Sequence, residues 1–294
     1  MVLLPGARPA ATNRRHERSL IDLHLHTTAS DGLLSPRELV HRAADAGLIT
    51  IAVTDHDTVG GVNEAAQAGA PLGVRVVPGI EITAVEHERD VHVLGYFVDP
   101  DSAVLTQFLH RQRSDRIRRV REIAARLADL GYGIDVGPIV EAASRGRRSI
   151  GRPAVADALV AAGHCLDRND AFTRLLARGR PAFVPRSGVA GAAVLDTIHA
   201  AGGLASFAHP GITANDELIQ QLAAAGLDAI EVWHGDHSPE QQNHYAALAE
   251  RLGLARSGGS DYHGDGLHRA CRLGGVQLPA AEFARLEGLV ARAR

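Results

Sequence analysis

His24 and His26 stand one residue apart in the run Ile21-Asp22-Leu23-His24-Leu25-His26-Thr27, with Ser30-Asp31-Gly32 directly after it. Side chains at i and i+2 of a strand face the same way, so both imidazoles can reach one metal ion, with Asp31 on the loop beyond. The arrangement recurs. Residues 49–53 lead into Thr54-Asp55-His56-Asp57, and residues 75–80 deliver Glu81. Residues 90–96 carry His92, residues 204–208 end at His209-Pro210, and residues 254–260 lead to Asp261 and His263. Imidazoles mixed with carboxylates suit Mn²⁺, Fe²⁺ or Zn²⁺. Nine such donors are too many for one ion, so two or three ions are expected, with Glu81 as a candidate bridge.

The elements that must position these residues alternate. The second predicted strand, residues 49–53, is apolar and β-branched, and helical periodicity follows most of the seven. Ser35-Pro36-Arg37-Glu38 predicts a helix start with a capping box, and Ser238-Pro239-Glu240-Gln241 repeats it. Seven predicted strands separated by helices imply parallel pairing with right-handed crossovers. The fold class is α/β, and seven such units could close into a TIM-like barrel whose strand C-termini gather the nine residues on one face. An open doubly wound sheet lacks the glycine-rich loop after its first strand. After Asp99-Pro100 the rhythm breaks, and residues 101 to about 187 read as helical. The expected organisation is a disordered tail (1–18), a barrel in two parts (19–98 and 188–294), and a helical insert (99–187) leaving from the ligand side to cap the barrel mouth.

Composition narrows the function classes. The 294-residue chain has a net charge of −3, which gives no global field for nucleic acid. No apolar run approaches the roughly 18 residues that span a bilayer, and the first 18 residues lack the apolar centre of a signal peptide. Two cysteines, Cys165 and Cys271, exclude a disulfide framework and point to a reduced, cytoplasmic location. All 31 basic residues are arginine, so a phosphate clamp must use Arg, His, backbone N–H or metal.

The set Asp22-Leu23-His24-Leu25-His26-Thr27, Ser30-Asp31-Gly32, Thr54-Asp55-His56-Asp57-Thr58, Gly79-Ile80-Glu81, His92-Val93-Leu94-Gly95-Tyr96, Ala208-His209-Pro210 and Gly259-Ser260-Asp261-Tyr262-His263-Gly264 resembles the polymerase and histidinol phosphatase (PHP) family. The insert, with Gly151-Arg152-Pro153, is similar to the TrpH-like branch, which includes 3′,5′-nucleoside bisphosphate phosphatases and RNase AM-type 5′-to-3′ exoribonucleases. The resemblance implies a distorted (β/α)7 barrel with a trinuclear site, Mn²⁺ being the first choice of metal. His24, His26, Glu81 and Asp261 would hold one ion, Glu81, His92 and His209 a second, and Asp31, His56 and His263 the third. Related sequences often have histidine where this chain has Ala154, so no substrate contact is carried over to that position.

Clustered divalent ions make a hydroxide from water near neutral pH and clamp a phosphoryl group, so no Ser or Cys nucleophile is needed. Asp22 and Asp55 are placed to orient imidazoles or to cap strand-end turns. His234 or His237 could protonate the leaving oxygen. In the helix near 111–130, spacing points Arg113 and Arg116 along the buried stripe as candidate phosphate ligands, together with Arg152, and turns Arg111, Arg118 and Arg119 outward. The expected activity is hydrolysis of nucleotide phosphate esters, with a small nucleotide or short RNA as the partner and neither a membrane nor an obligate protein partner. Alternatives are a phosphatase of a non-nucleotide metabolite such as histidinol phosphate, and a non-catalytic metal-stabilised module.

Overall fold

The computed structural model describes residues 20–87, 89–144, 149–265 and 272–293; the 1–18 tail, His268 and Cys271 lie outside them. Strands β1 (Ile21–Leu25), β2 (Thr50–Val53) and β3 (Arg75–Glu86) pair in parallel through helices α1 (Pro36–Asp45) and α2 (Val62–Gly69). The α1 start is the capping box read from Ser35 and Glu38.

β4 (Arg89–Tyr96) runs antiparallel to β3 and to β5 (Leu204–Phe207), which corrects the expectation of seven parallel strands. The cause is the linker. β3 continues past Glu81 to Glu86, leaving room only for a hairpin, whereas a parallel crossover needs a dozen or more residues. The reversal delivers His92: the N-terminal half of β4 lies at the ligand face, with His92 opposite Thr83.

It also moves the departure point of the helical segment. Tyr96 ends β4 opposite Leu204, the first residue of β5, so the chain leaves on the face away from the ligands and not beside them as expected. Helix α3 (Ala103–Asp129) then spans about 40 Å at 1.5 Å per residue. Leu105, Phe108 and Leu109 pack on the barrel wall with Val194, Leu195 and Ile198 of α7 (Gly191–Ala200). Farther along, Val120, Ile123 and Leu127 join a separate core with α4 (Gly137–Ser144), α5 (Arg152–Ala161) and α6 (Arg168–Ala171).

The barrel resumes with β5, α8 (Pro210–Thr213), α9 (Asp216–Ala224), β6 (Ala229–His234), α10 (Pro239–Leu252), β7 (Ala255–Gly259) and α11 (Ala280–Ala293). Strand order is sequential, and β5, β6 and β7 are again parallel. β7 approaches β1 closely: His26 N–H donates to the Tyr262 carbonyl (3.0 Å), and a Cβ on Gly259 would sit 2.3 Å from the His24 nitrogen. Glycine at 259 is what lets the barrel nearly close. No helix among the described residues is long and apolar enough to cross a membrane.

Candidate metal centre

Glu81, fully buried on β3, is the hub. Its Oε1 lies 2.7 Å from His92 Nδ1 and 3.1 Å from His209 Nε2. Its Oε2 lies 3.3, 3.2 and 3.1 Å from His24 Nε2, His26 Nε2 and His56 Nδ1. Asp261 Oδ1 adds a second carboxylate 3.4 and 3.2 Å from the same His24 and His26 atoms. Asp31 Oδ1 is 3.4 Å from His263 Nε2, and its Oδ2 is 3.9 Å from His56 Nε2. All nine sequence-derived candidates therefore meet.

Three overlapping groups among them have ligand atoms close enough for one ion: His24, His26, Glu81 and Asp261; His26, Asp31, His56 and His263; and His56, Glu81 and His92. The donor set fits divalent metal. His24 Nε2, both His26 nitrogens, His56 Nδ1, His92 Nδ1, His209 Nδ1, Glu81 Oε2 and Asp31 Oδ1 are buried without a hydrogen-bond partner. So many unsatisfied buried polar atoms in one place would be costly unless cations take them up.

The electrostatics agree. Burial pushes His56, His209 and His263 down, His209 to about 4, leaving neutral imidazoles ready to ligate at pH 7. Burial acts on His24 too, but Glu231 and Glu81 on either side of the ring push it up to about 10. Burial would raise Glu81, yet the surrounding imidazoles hold its carboxyl well below the usual range. His209 and Asp261 adopt left-handed backbone (φ 30° and 54°), a conformation that costs a non-glycine residue on the order of 1–3 kcal/mol and persists only where neighbours enforce it.

Of the two roles open to Asp22 and Asp55, the geometry shows the turn contacts. Asp22 accepts the Ser260 N–H (2.8 Å), and Asp55 accepts the Thr27 N–H, the Thr27 hydroxyl and the Ser30 hydroxyl (2.7, 2.7 and 2.6 Å). Both hold strand-end turns and touch no imidazole. Neither His234 nor His237 lines the cavity above the site, although His234 Nε2 lies 3.4 Å from Asp261 Oδ2. His237 Nδ1 is 2.9 Å from the Val232 carbonyl, and its Nε2 accepts the Gly211 N–H (3.0 Å), so both ring nitrogens are occupied in packing.

That cavity, of about 470 Å³, opens over Asp31, His56, His92, Asp261 and His263 and is roofed by Ile150, Pro153, Ala154, Asn169 and Phe172. Five guanidiniums line it: Arg116, Arg119, Arg152, Arg168 and Arg186. Arg116 is held by a structural carboxylate: its Nε is 2.6 Å from Asp57 Oδ2, and its Nη1 donates to the Ile150 carbonyl. Arg113 is half-buried and does not line the cavity, and Arg119, expected outside, is buried. The buried stripe of α3 runs Gln112, Arg119, Val120, Ile123 and Leu127, so it takes in Arg119 and leaves Arg113 and Arg116 only half-buried. Arg152 stays a candidate, near Asp90 (3.3 Å) and between the Phe172 and Phe183 rings.

The PHP domain family matches residues 22–136. A 3′,5′-nucleoside bisphosphate phosphatase from Chromobacterium violaceum is 35% identical over 84% of this chain and 88% of its own length. The chain belongs to the PHP family. The 5′-3′ exoribonuclease Rnm of Escherichia coli, also 35% identical, covers 83% of this chain and 85% of itself. A solved structure described as a metal-dependent phosphoesterase, from Bifidobacterium adolescentis, superposes with a TM-score of 0.82 at 34% identity, covering 90% of this chain and 94% of that one. PHP membership with relatives of this kind makes the chain a phosphoric ester hydrolase, in keeping with its cluster of metal-ligand residues.

The spacing argument does not bring Arg119, Arg168, Arg186 or Glu231 to this PHP site, and it turns Arg119 outward. Glu231 was passed over inside a strand, although a lone carboxylate in the otherwise apolar run Ala229-Ile230-Glu231-Val232-Trp233 signals an inward, partnered charge.

Proposed function

We propose that this PHP protein hydrolyses phosphate esters of nucleotides, as a 3′,5′-nucleoside bisphosphate phosphatase or on the 5′ end of short 5′-phosphorylated RNA. The metals are divalent, Mn²⁺ first, with Fe²⁺ or Zn²⁺ as alternatives, and the location is cytoplasmic. His24, His26, Glu81 and Asp261 hold one ion, Glu81, His92 and His209 a second, and Asp31, His56 and His263 a third. When bound, such ions supply a nucleophile from water near neutral pH and neutralise charge on the phosphoryl oxygens. Residues 99–187 act as a cap that orders the substrate and keeps water out.

The observation that carries the nucleotide reading is the charge balance of the cavity. Arg116 and Arg186 share Asp57, Arg152 faces Asp90 and Arg168 pairs with Asp157. Arg119 has only the Val184 carbonyl, at 2.9 Å from its Nε, and no carboxylate within 4 Å among the described residues. Burial pushes Arg119 and Arg186 down, each to about 10, still charged at pH 7. Excess positive charge beside the metal centre suits a second phosphate on the same substrate.

Metal-stripped protein reloaded with Mn²⁺ should turn over adenosine 3′,5′-bisphosphate or short 5′-phosphorylated RNA far better than AMP or histidinol phosphate. Preferred turnover of histidinol phosphate would overturn the nucleotide reading, and activity unaffected by chelation would overturn the metal reading. Arg119→Ala should cost about 1.5–3 kcal/mol on the bisphosphate, the range for hydrogen bonds to charged groups, and largely spare AMP. Equal losses on both substrates, with an unchanged melting temperature, would show that Arg119 does not read the second phosphate.

A further inference from the structure

β6 contributes no residue to the nine candidate ligands, yet two of its side chains point into the site. Glu231 and His234 are three apart, and on a regular strand such residues face opposite ways. The ladder with β7 explains it: Glu231 pairs with Ser257 and Trp233 with Gly258, leaving Val232 as an extra residue. This bulge turns both Glu231 and His234 inward, the use bulges commonly have beside active sites.

Glu231 is fully buried and divides its two oxygens between two separate ligand residues. Its Oε1 lies 2.9 Å from His24 Nδ1. Its Oε2 accepts the backbone N–H of His209 at 2.7 Å, at the residue held in left-handed conformation. His234 Nε2 meanwhile lies 3.4 Å from Asp261 Oδ2. The atoms of His24, Glu231 and His234 converge enough to suggest a further cation site, but His24 Nδ1 stands at hydrogen-bond distance from Glu231 and its Nε2 faces Glu81 and Asp261. A single ring with its two nitrogens so divided reads as a relay and not as two ligations.

We infer that Glu231 is a positioning residue of the metal centre. It fixes His24 as the Nδ1–H tautomer, so that Nε2 faces the metal, and pins the His209 backbone, so that one carboxylate sets the ligands of two neighbouring metal positions. The inference rests on the metal assignment above. Residues that orient ligands in this way are typically worth about 10–100-fold in metal affinity. Glutamine cannot replace Glu231, because both partners are N–H donors and the amide offers only one acceptor. Aspartate keeps the charge but, one methylene shorter, cannot span both partners.

The test is titration of metal-stripped protein with Mn²⁺, following free ion by electron paramagnetic resonance, for wild type, Glu231→Gln and Glu231→Asp, with circular dichroism on each. Two of the binding steps should weaken by about 10–100-fold in both variants, and the step assigned to Asp31, His56 and His263 should not move. If wild type binds no Mn²⁺, the metal reading itself fails. If wild type binds and both variants match it, only the role of Glu231 fails. Full rescue by Glu231→Asp would reduce that role to charge alone and overturn the positioning. The tautomer is read without any variant: in Zn²⁺-loaded wild type, long-range proton–nitrogen spectra should show His24 with Nδ1 protonated, and a metal-bound Nδ1 would refute the inference even if the variants did not fold.

Discussion

Glu81→Gln is expected to lower kcat/KM by about 10³-fold, the upper end for losing one fixed group aimed at a reacting centre. The reason lies in how many partners depend on one carboxylate. Five imidazoles lie within 3.3 Å of its two oxygens. Glutamine keeps the shape but removes the charge and presents an N–H₂ to one group of these nitrogens. At least two metal positions share Glu81 in the proposed assignment, so elemental analysis of the variant should find fewer ions per chain while its circular dichroism stays native. A variant with the wild-type metal content and near wild-type turnover would remove Glu81 from the centre of the site.

Most of the ligand set was legible because it follows two simple periods. His24 and His26 share a face by the two-residue repeat of a strand, and His56, Glu81 and His209 each follow a largely apolar run that reads as a buried strand. What was not legible depends on long-range pairing. The sequence around Glu86 to Arg89 carries no strong turn signal, so the β3–β4 hairpin was read as a crossover, and with it the direction of β4 and the departure point of the insert were wrong. His92 nevertheless meets Glu81, at 2.7 Å, because the reversed strand still presents it to the ligand face. Glu231 and His234 were obscured by the bulge at Val232, which breaks the alternation that would have grouped them. Arg119 was misplaced because α3 packs on two different cores along its length, the barrel wall first and the helical cluster after, and no single stripe describes both.

Asp57 ties those two cores together, and its removal is the second large effect expected. Its Oδ1 accepts the Thr83 N–H at 3.0 Å on the barrel side. Its Oδ2 takes Arg116 of α3 at 2.6 Å and Arg186, on the returning chain after the helical cluster, at 3.3 Å. One buried carboxylate thus fastens both the outgoing helix and the returning segment of the insert beside His56. Asp57→Asn is the informative substitution, since asparagine tolerates the left-handed backbone here (φ 50°) and isolates the charge. It leaves two largely buried guanidiniums without their carboxylate, a loss of about 3–5 kcal/mol for a broken buried pair. Burial pushes the Asp57 carboxyl up, but Arg116 and Arg186 more than offset this and hold it below the ordinary range. The stability contributed by a carboxylate held low is complete above its unfolded value of about 3.9 and is lost as pH falls through the lower folded value. Urea unfolding of metal-stripped protein should therefore show a lower midpoint for Asp57→Asn at pH 7, and the gap to wild type should narrow as the pH is taken below about 4. A gap that is absent at pH 7 would show that the arginines find other partners; a gap that does not change with acid would show that the loss does not come from the charge of Asp57.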